Sequence, residues 1–177
     1  DLKIDDVTLY ARDAASGKLL WQLPIKGGKD GYVGGTLSIK GDHLCHITRT
    51  QLHCINSRTG QEVWTRDYPY YADMPRKGVL VLRYHNSPPT IVMTDEWLFC
   101  AELDRVKAYS MADGSLLWEG KTECNYTKNG DLFYAGGLVW TGYLKGLDPA
   151  TGKVKRELTQ KMTGPMSHDR CYRNRIT

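Results

Sequence analysis

Ala108-Tyr109-Ser110-Met111-Ala112-Asp113-Gly114-Ser115-Leu116-Leu117-Trp118 is the stretch on which the reading of this 177-residue chain turns, because it recurs. Ala11-Arg12-Asp13-Ala14-Ala15-Ser16-Gly17-Lys18-Leu19-Leu20-Trp21 has the same layout, and so does Cys54-Ile55-Asn56-Ser57-Arg58-Thr59-Gly60-Gln61-Glu62-Val63-Trp64. A small residue comes first, a turn-former third, glycine seventh and tryptophan eleventh. A fourth copy, Gly146-Leu147-Asp148-Pro149-Ala150-Thr151-Gly152-Lys153-Val154-Lys155-Arg156, has arginine where tryptophan is expected.

Each position has a physical reason. Asp13, Asn56, Ser110 and Asp148 are placed to accept hydrogen bonds from backbone amides two residues on and so start a turn. Gly17, Gly60, Gly114 and Gly152 tolerate the positive φ of a tight hairpin with a bulge. Trp21, Trp64 and Trp118, on the returning strand, offer a large apolar surface with one N–H to satisfy, which suits a seam between neighbouring sheets. The small first residue is expected to let those sheets approach. Short β-type runs precede the motif at residues 44–47, 97–101 and 138–141, and others lie upstream at 36–39, 90–93 and 132–135. Gly41-Asp42, Thr94-Asp95 and Gly136-Gly137 separate them as turns. Each unit thus reads as a four-stranded antiparallel meander, with no stretch of capped helical periodicity.

The repeat glycines are 43, 54 and 38 residues apart, a period of propeller blades rather than of ankyrin or tetratricopeptide repeats. The expected fold is all-β: a partial β-propeller of about four four-stranded antiparallel blades. They fall near residues 1–25, 34–66, 88–120 and 130–158, with a further blade starting at 166–177. A seven- or eight-bladed ring at ~45 residues per blade needs over ~300 residues, so the remaining blades are expected outside this chain. The absence of an initiator Met and of a signal pattern in Asp1-Leu2-Lys3-Ile4-Asp5 gives the same expectation of a fragment.

Composition narrows the class further. At 41% hydrophobic and 25% charged, the chain has too much apolar content for disorder. No apolar run approaches the ~18 residues of a membrane span. The formal charge of +4 is uneven: residues 1–150 balance at −1, whereas residues 151–177 carry +5. No nucleic-acid-binding motif accompanies that basic end, so it reads as a solvated strand edge and no nucleic-acid partner is expected. The five cysteines, Cys45, Cys54, Cys100, Cys124 and Cys171, are too few and odd in number for a disulfide scaffold.

The Ala-x-Asp-x-x-Ser/Thr-Gly-x-x-x-Trp pattern resembles the blade motif of the PQQ-like, or quinoprotein-type, β-propeller repeat family. Ser87-Pro88-Pro89-Thr90, residues 137–142 and residues 168–173 are also similar to segments of planctomycete-type bacterial members. The resemblance implies an extracytoplasmic, periplasmic location. It spans two kinds of function. In the alcohol dehydrogenases of the family, pyrroloquinoline quinone lies between a Trp and a disulfide of adjacent cysteines, with Ca²⁺ held by Glu, Asn and Asp, and an Asp acts as base. Non-enzymatic members include the lipoprotein of the outer-membrane β-barrel assembly machinery. This chain has no Cys-Cys pair and no Asp that matches the base, and its repeat tryptophans stand at packing positions. The expectation is therefore a non-catalytic binding or scaffold propeller for protein or polysaccharide, with no catalytic residue, metal or cofactor. A quinoprotein dehydrogenase fragment using PQQ and Ca²⁺, or a propeller module appended to another enzyme, are the alternatives.

Two sets of residues stand out as candidate sites. His43, Cys45, His46, His53 and Cys54 supply five potential ligands within a short span. A hairpin turning at Arg49-Thr50 pairs Cys45 with Cys54 and His46 with His53, with the cysteines and His43 on one face and the two histidines on the other. That split favours structural cysteines over a cross-strand disulfide or a metal site. The second set sits in the longer connections: His85, Asn86, Asn125, His168 and Arg170 enter at equivalent places in successive blades. They are expected to converge near one end of the channel as the ligand-binding residues.

Overall fold

The repeat's turn chemistry sets the hairpins, and the hairpins set the sheets. In the computed structural model, which describes residues 6–27, 30–69, 88–102, 105–121, 132–141 and 145–158, the four repeat glycines have φ between 69° and 72°. Asp13 Oδ1 accepts from the Ser16 amide (2.7 Å), Asn56 Oδ1 from the amides of Arg58 (2.9 Å) and Thr59 (3.0 Å), and Asp148 Oδ1 from Ala150 (2.9 Å) and Thr151 (3.0 Å). In the third copy Asp113, one residue before the glycine, accepts from the Ser115 amide at 3.0 Å, as the hydroxyls of Ser16, Thr59 and Thr151 do from the residue after the glycine in the other copies. A register shift marks a bulge in each of the four hairpins, as glycine at that point requires.

The sheets are antiparallel meanders. β1 (Val7–Arg12) pairs with β2 (Leu19–Ile25) in a two-stranded sheet. β3 (Ser38–Lys40), β4 (His43–Ile47), β5 (Gln51–Asn56) and β6 (Glu62–Asp67) follow in spatial order. β7 (Thr90–Met93), β8 (Trp97–Ala101), β9 (Arg105–Ser110) and β10 (Leu116–Lys121) repeat that order, as do β11 (Leu132–Ala135), β12 (Leu138–Thr141), β13 (Lys145–Leu147) and β14 (Val154–Glu157). No α-helix occurs among the described residues. The fold is a partial β-propeller, as the repeat implied. The strand expected at 36–39 starts only at Ser38, because Thr36 serves another purpose. Its buried hydroxyl donates to the Val33 carbonyl (2.7 Å) and accepts from the Ile47 amide (3.1 Å), tying down the entry to the sheet.

The chain divides into two compact units, one holding β1–β6 with the hairpin tip 112–115, the other holding β7–β14. In the first, Trp21, Leu44 and Ile55 form a core backed by Leu9, Ala11 and Leu23. In the second, Phe99, Val106, Ala108, Val139 and Leu147 do so, with Trp118 packed against them. The tryptophans lie where a seam residue should. A Cβ added to Gly60 would stand 2.8 Å from the Trp21 ring, one on Gly114 2.5 Å from Trp64, and one on Gly152 2.6 Å from Trp118. The indole N–H of Trp21 donates to the Ser57 carbonyl and that of Trp118 to the Pro149 carbonyl, both at 2.8 Å. So each of these two rings lies over the glycine of the following repeat and bonds to the same turn.

Ala11, Cys54 and Ala108 stand directly opposite Trp21, Trp64 and Trp118 in their own hairpins, as Gly146 stands opposite Arg156. Ala11 packs against the core of Trp21, Leu44 and Ile55, and Ala108 lies in the core with Val139 and Leu147, while the turn glycine provides the close approach of the indole. β14 is exposed along its whole length and forms a sheet edge, so Lys155 and Arg156 are the solvated edge that the charge pattern suggested. The basic residues beyond Leu158 lie outside the described residues.

Two comparisons test this scheme. Gly17 and Gly152 share the same φ, but only Gly152 carries an indole on its face. Gly17→Ala should therefore cost about 1–2 kcal/mol from backbone strain alone, and Gly152→Ala a further ~1–3 kcal/mol from overpacking. Trp118→Ala should cost about 3 kcal/mol and Arg156→Ala no more than about 0.5 kcal/mol. Urea unfolding of the four variants measures these differences, and equal losses within either pair would contradict the packing described.

Candidate functional site: a histidine-floored cavity

β4 and β5 place the titratable residues. Cys45 pairs with Cys54 and His46 with His53, in the register that the sequence implied. Alternation along the strands sends the two pairs to opposite faces. On one face Cys45 and Cys54 are fully buried thiols. A hydrogen bond from Cys45 holds the Cys54 thiol below its ordinary range, against the opposing effect of burial. No disulfide joins them, and among the described residues no group of three or more His, Cys, Asp or Glu is arranged to hold a metal ion.

On the other face the imidazoles of His46 and His53 stack with centroids 4.7 Å apart and planes within 8°. Both nitrogens of His53 are engaged: Nδ1 lies 3.0 Å from Thr65 Oγ1 and Nε2 3.5 Å from Thr48 Oγ1. Thr65 in turn donates to Glu62 Oε2 at 2.8 Å. His46 is only 2% exposed, touches the Tyr32 ring at a tilt, and leaves Nδ1 buried without a hydrogen-bond partner. Burial, and then the proximity of His53, push the His46 pKa down to about 4. Burial also lowers that of His53, with Glu62 partly offsetting it. Both rings are neutral at pH 7.

These rings floor a cavity of about 290 Å³ inside the first unit. Leu23, Pro24 and Ile25 of β2 and Ile55 of β5 supply apolar wall, Thr48 and Gln51 supply polar groups, and Lys26, Asp30 and Glu62 supply charge. The pairing of His46 with His53 was readable from strand alternation. The cavity was not, because the end of β2 that covers the pair is distant in sequence and carries no motif. His85, Asn86, Asn125, His168 and Arg170, expected to converge on a channel mouth, lie outside the described residues.

The Trp21 and Trp118 indoles are each covered by a glycine and bonded to a carbonyl, so neither ring is open to stack on a quinone. No helix among the described residues is long and apolar enough to cross a membrane.

Blades of this hairpin pattern, sealed by a tryptophan over a glycine, define a β-propeller of PQQ-like repeats. Residues 5–171 match the model of the family described as outer membrane protein assembly factor BamB, and the chain belongs to that family. Among solved structures it is similar to BamB from Moraxella catarrhalis, at 17% identity and a TM-score of 0.57 over 86% of this chain and 47% of that one. It is also similar to the quinohemoprotein alcohol dehydrogenase ADHIIG from Pseudomonas putida HK5 (13% identity, TM-score 0.51, 83% of this chain and 31% of that one). The Neurospora crassa Pan2 WD40 domain has the same likeness (13% identity, TM-score 0.54, 85% and 43%). The chain thus spans about half the length of the Moraxella protein. No curated protein matches it in sequence.

The histidine pair gives the first unit a pH dependence whose sign follows from the lowered pKa values. The unfolded chain takes up protons near pH ~6.5, whereas folded His46 resists until about 4. Stability should therefore be intact at neutral pH and fall as the pH drops through that window, by up to about 3 kcal/mol for His46. Denaturation midpoints measured between pH 7 and 4.5 should show this slope, and His46→Gln should flatten it.

Proposed function

We propose that this chain is a segment of a non-catalytic, extracytoplasmic β-propeller that recognises a protein or polysaccharide through its inter-blade loops. The observation that carries this reading is that Trp21, Trp64 and Trp118 and the glycines they cover are consumed by packing, in a chain of the BamB family. Recognition then falls to residues outside the repeat motif, for which His85, Asn86, Asn125, His168 and Arg170 are the candidates. Further blades complete the recognition surface, and no resident cofactor is required.

The second reading, a fragment of a quinoprotein dehydrogenase whose PQQ and Ca²⁺ are bound mainly by other blades, draws on the likeness to the quinohemoprotein alcohol dehydrogenase. One pair of assays on the full-length protein separates the two. The scaffold reading expects capture of a ligand from a peptide or glycan array. That capture should be lost when the five loop residues are changed to alanine, at an unchanged unfolding midpoint. It also expects no dye-linked oxidation of alcohols or sugars after incubation with PQQ and Ca²⁺. Robust turnover would replace it with the dehydrogenase reading.

A further inference from the structure

We propose that the cavity floored by His46 and His53 binds an organic cation, a guanidinium or primary ammonium carried on a short aliphatic stem. The proposal does not depend on the scaffold reading. Its basis is what the cavity leaves unused. Asp30 accepts one hydrogen bond, from the Thr50 hydroxyl at 2.8 Å, and Glu62 accepts one from Thr65. Among the described residues no ion pair reaches either carboxylate, and Lys26 is the one cation among those that line the cavity. With both imidazoles neutral, the lining carries more negative than positive charge. His46, almost fully buried, keeps Nδ1 enclosed and lines the cavity as an uncharged ring.

The other ligand classes fit less well. Two parallel rings 4.7 Å apart cannot both direct an in-plane lone pair at one ion, so the stacked pair is a poor chelate for a transition metal. An anion would meet Asp30 and Glu62. A cation with an apolar stem matches each part of the lining. Its charge meets the carboxylates, while its methylenes lie along Leu23, Pro24, Ile25 and Ile55, as long cationic side chains do on apolar surface. At about 290 Å³ the volume suits a ligand the size of one side chain, at the low end of small-molecule pockets.

Three probes test the site on the 177-residue chain: acetyl-arginine amide, agmatine, and acetyl-citrulline amide as the uncharged isostere. Imidazole resonances of His46 and His53 are followed by NMR at pH 7.5. At least one of the two guanidinium probes should shift both residues saturably, and the citrulline compound should not. Tighter binding of acetyl-arginine amide would identify a peptide side chain as the source of the cation, and tighter binding of agmatine a free amine. Glu62→Gln and the exposed Asp30→Asn should each weaken binding by up to about fivefold, the range of a solvent-open charge pair. Asp30→Asn keeps the test valid if the Glu62 variant loses its fold. Absence of a saturable shift with both guanidinium probes, an equal response to citrulline, or undiminished affinity in both variants would overturn the proposal.

Discussion

The contact between a tryptophan ring and the glycine of the following repeat is the interaction on which the rest of the structure depends. It works because two unrelated demands fall on the same residue. The hairpin bulge needs positive φ, and the indole needs a surface without a Cβ. A residue that met only the first demand, such as Asn, would hold the turn but push the ring away. The indole N–H bond to a carbonyl in the same turn then fixes the angle at which the ring lies, for Trp21 on Ser57 and for Trp118 on Pro149. Burial of the ring and satisfaction of its polar atom are achieved by one short turn, so a compact motif can be repeated along the chain.

Because the Trp–Gly contact anchors one end of a seam, the other end is released from packing duty and can vary. In the first unit, Trp21, Leu44 and Ile55 make the apolar end, while His46 and His53 occupy the next positions along the same strands. The hairpin of β8 and β9 shows the variation. Phe99 pairs with Ala108 as Cys45 pairs with Cys54, so Cys100 and Lys107 stand where His46 and His53 do. There the cation is neutralised within its own sheet, Lys107 to Glu102 at 2.9 Å. The histidines avoid the need for a counter-charge by staying neutral, which is why their protonation rather than their pairing controls that end of the seam.

The parts of the fold readable from sequence are those fixed by local chemistry. Turn residues, glycine positions and two-residue alternation locate β8, β12, β7 and β11 to the residue and pair His46 with His53. The reading that had to change was one where a second task competes with strand pairing: Thr36 left the strand because its hydroxyl had a buried task. The cavity was illegible for a different reason: its lining joins β2 to β4, β5 and β6, and no spacing in the sequence records that meeting.

This division bears on where function can reside in such a protein. A motif whose glycine and tryptophan are spent on each other specifies architecture and leaves no chemistry over, and the fold it builds is one that this chain shares with proteins as different as a BamB, a quinohemoprotein alcohol dehydrogenase and a WD40 domain. What distinguishes this chain must then lie in residues that the repeat does not constrain. Glu62 illustrates the point. It stands beside the motif's own Val63-Trp64, at the position filled by Leu19, Leu116 and Val154 in the other copies, and a carboxylate there gains nothing from blade packing. Its contribution is to the cavity, where it stands beside neutral imidazoles and, with Asp30, outweighs the charge of Lys26 among the described lining residues.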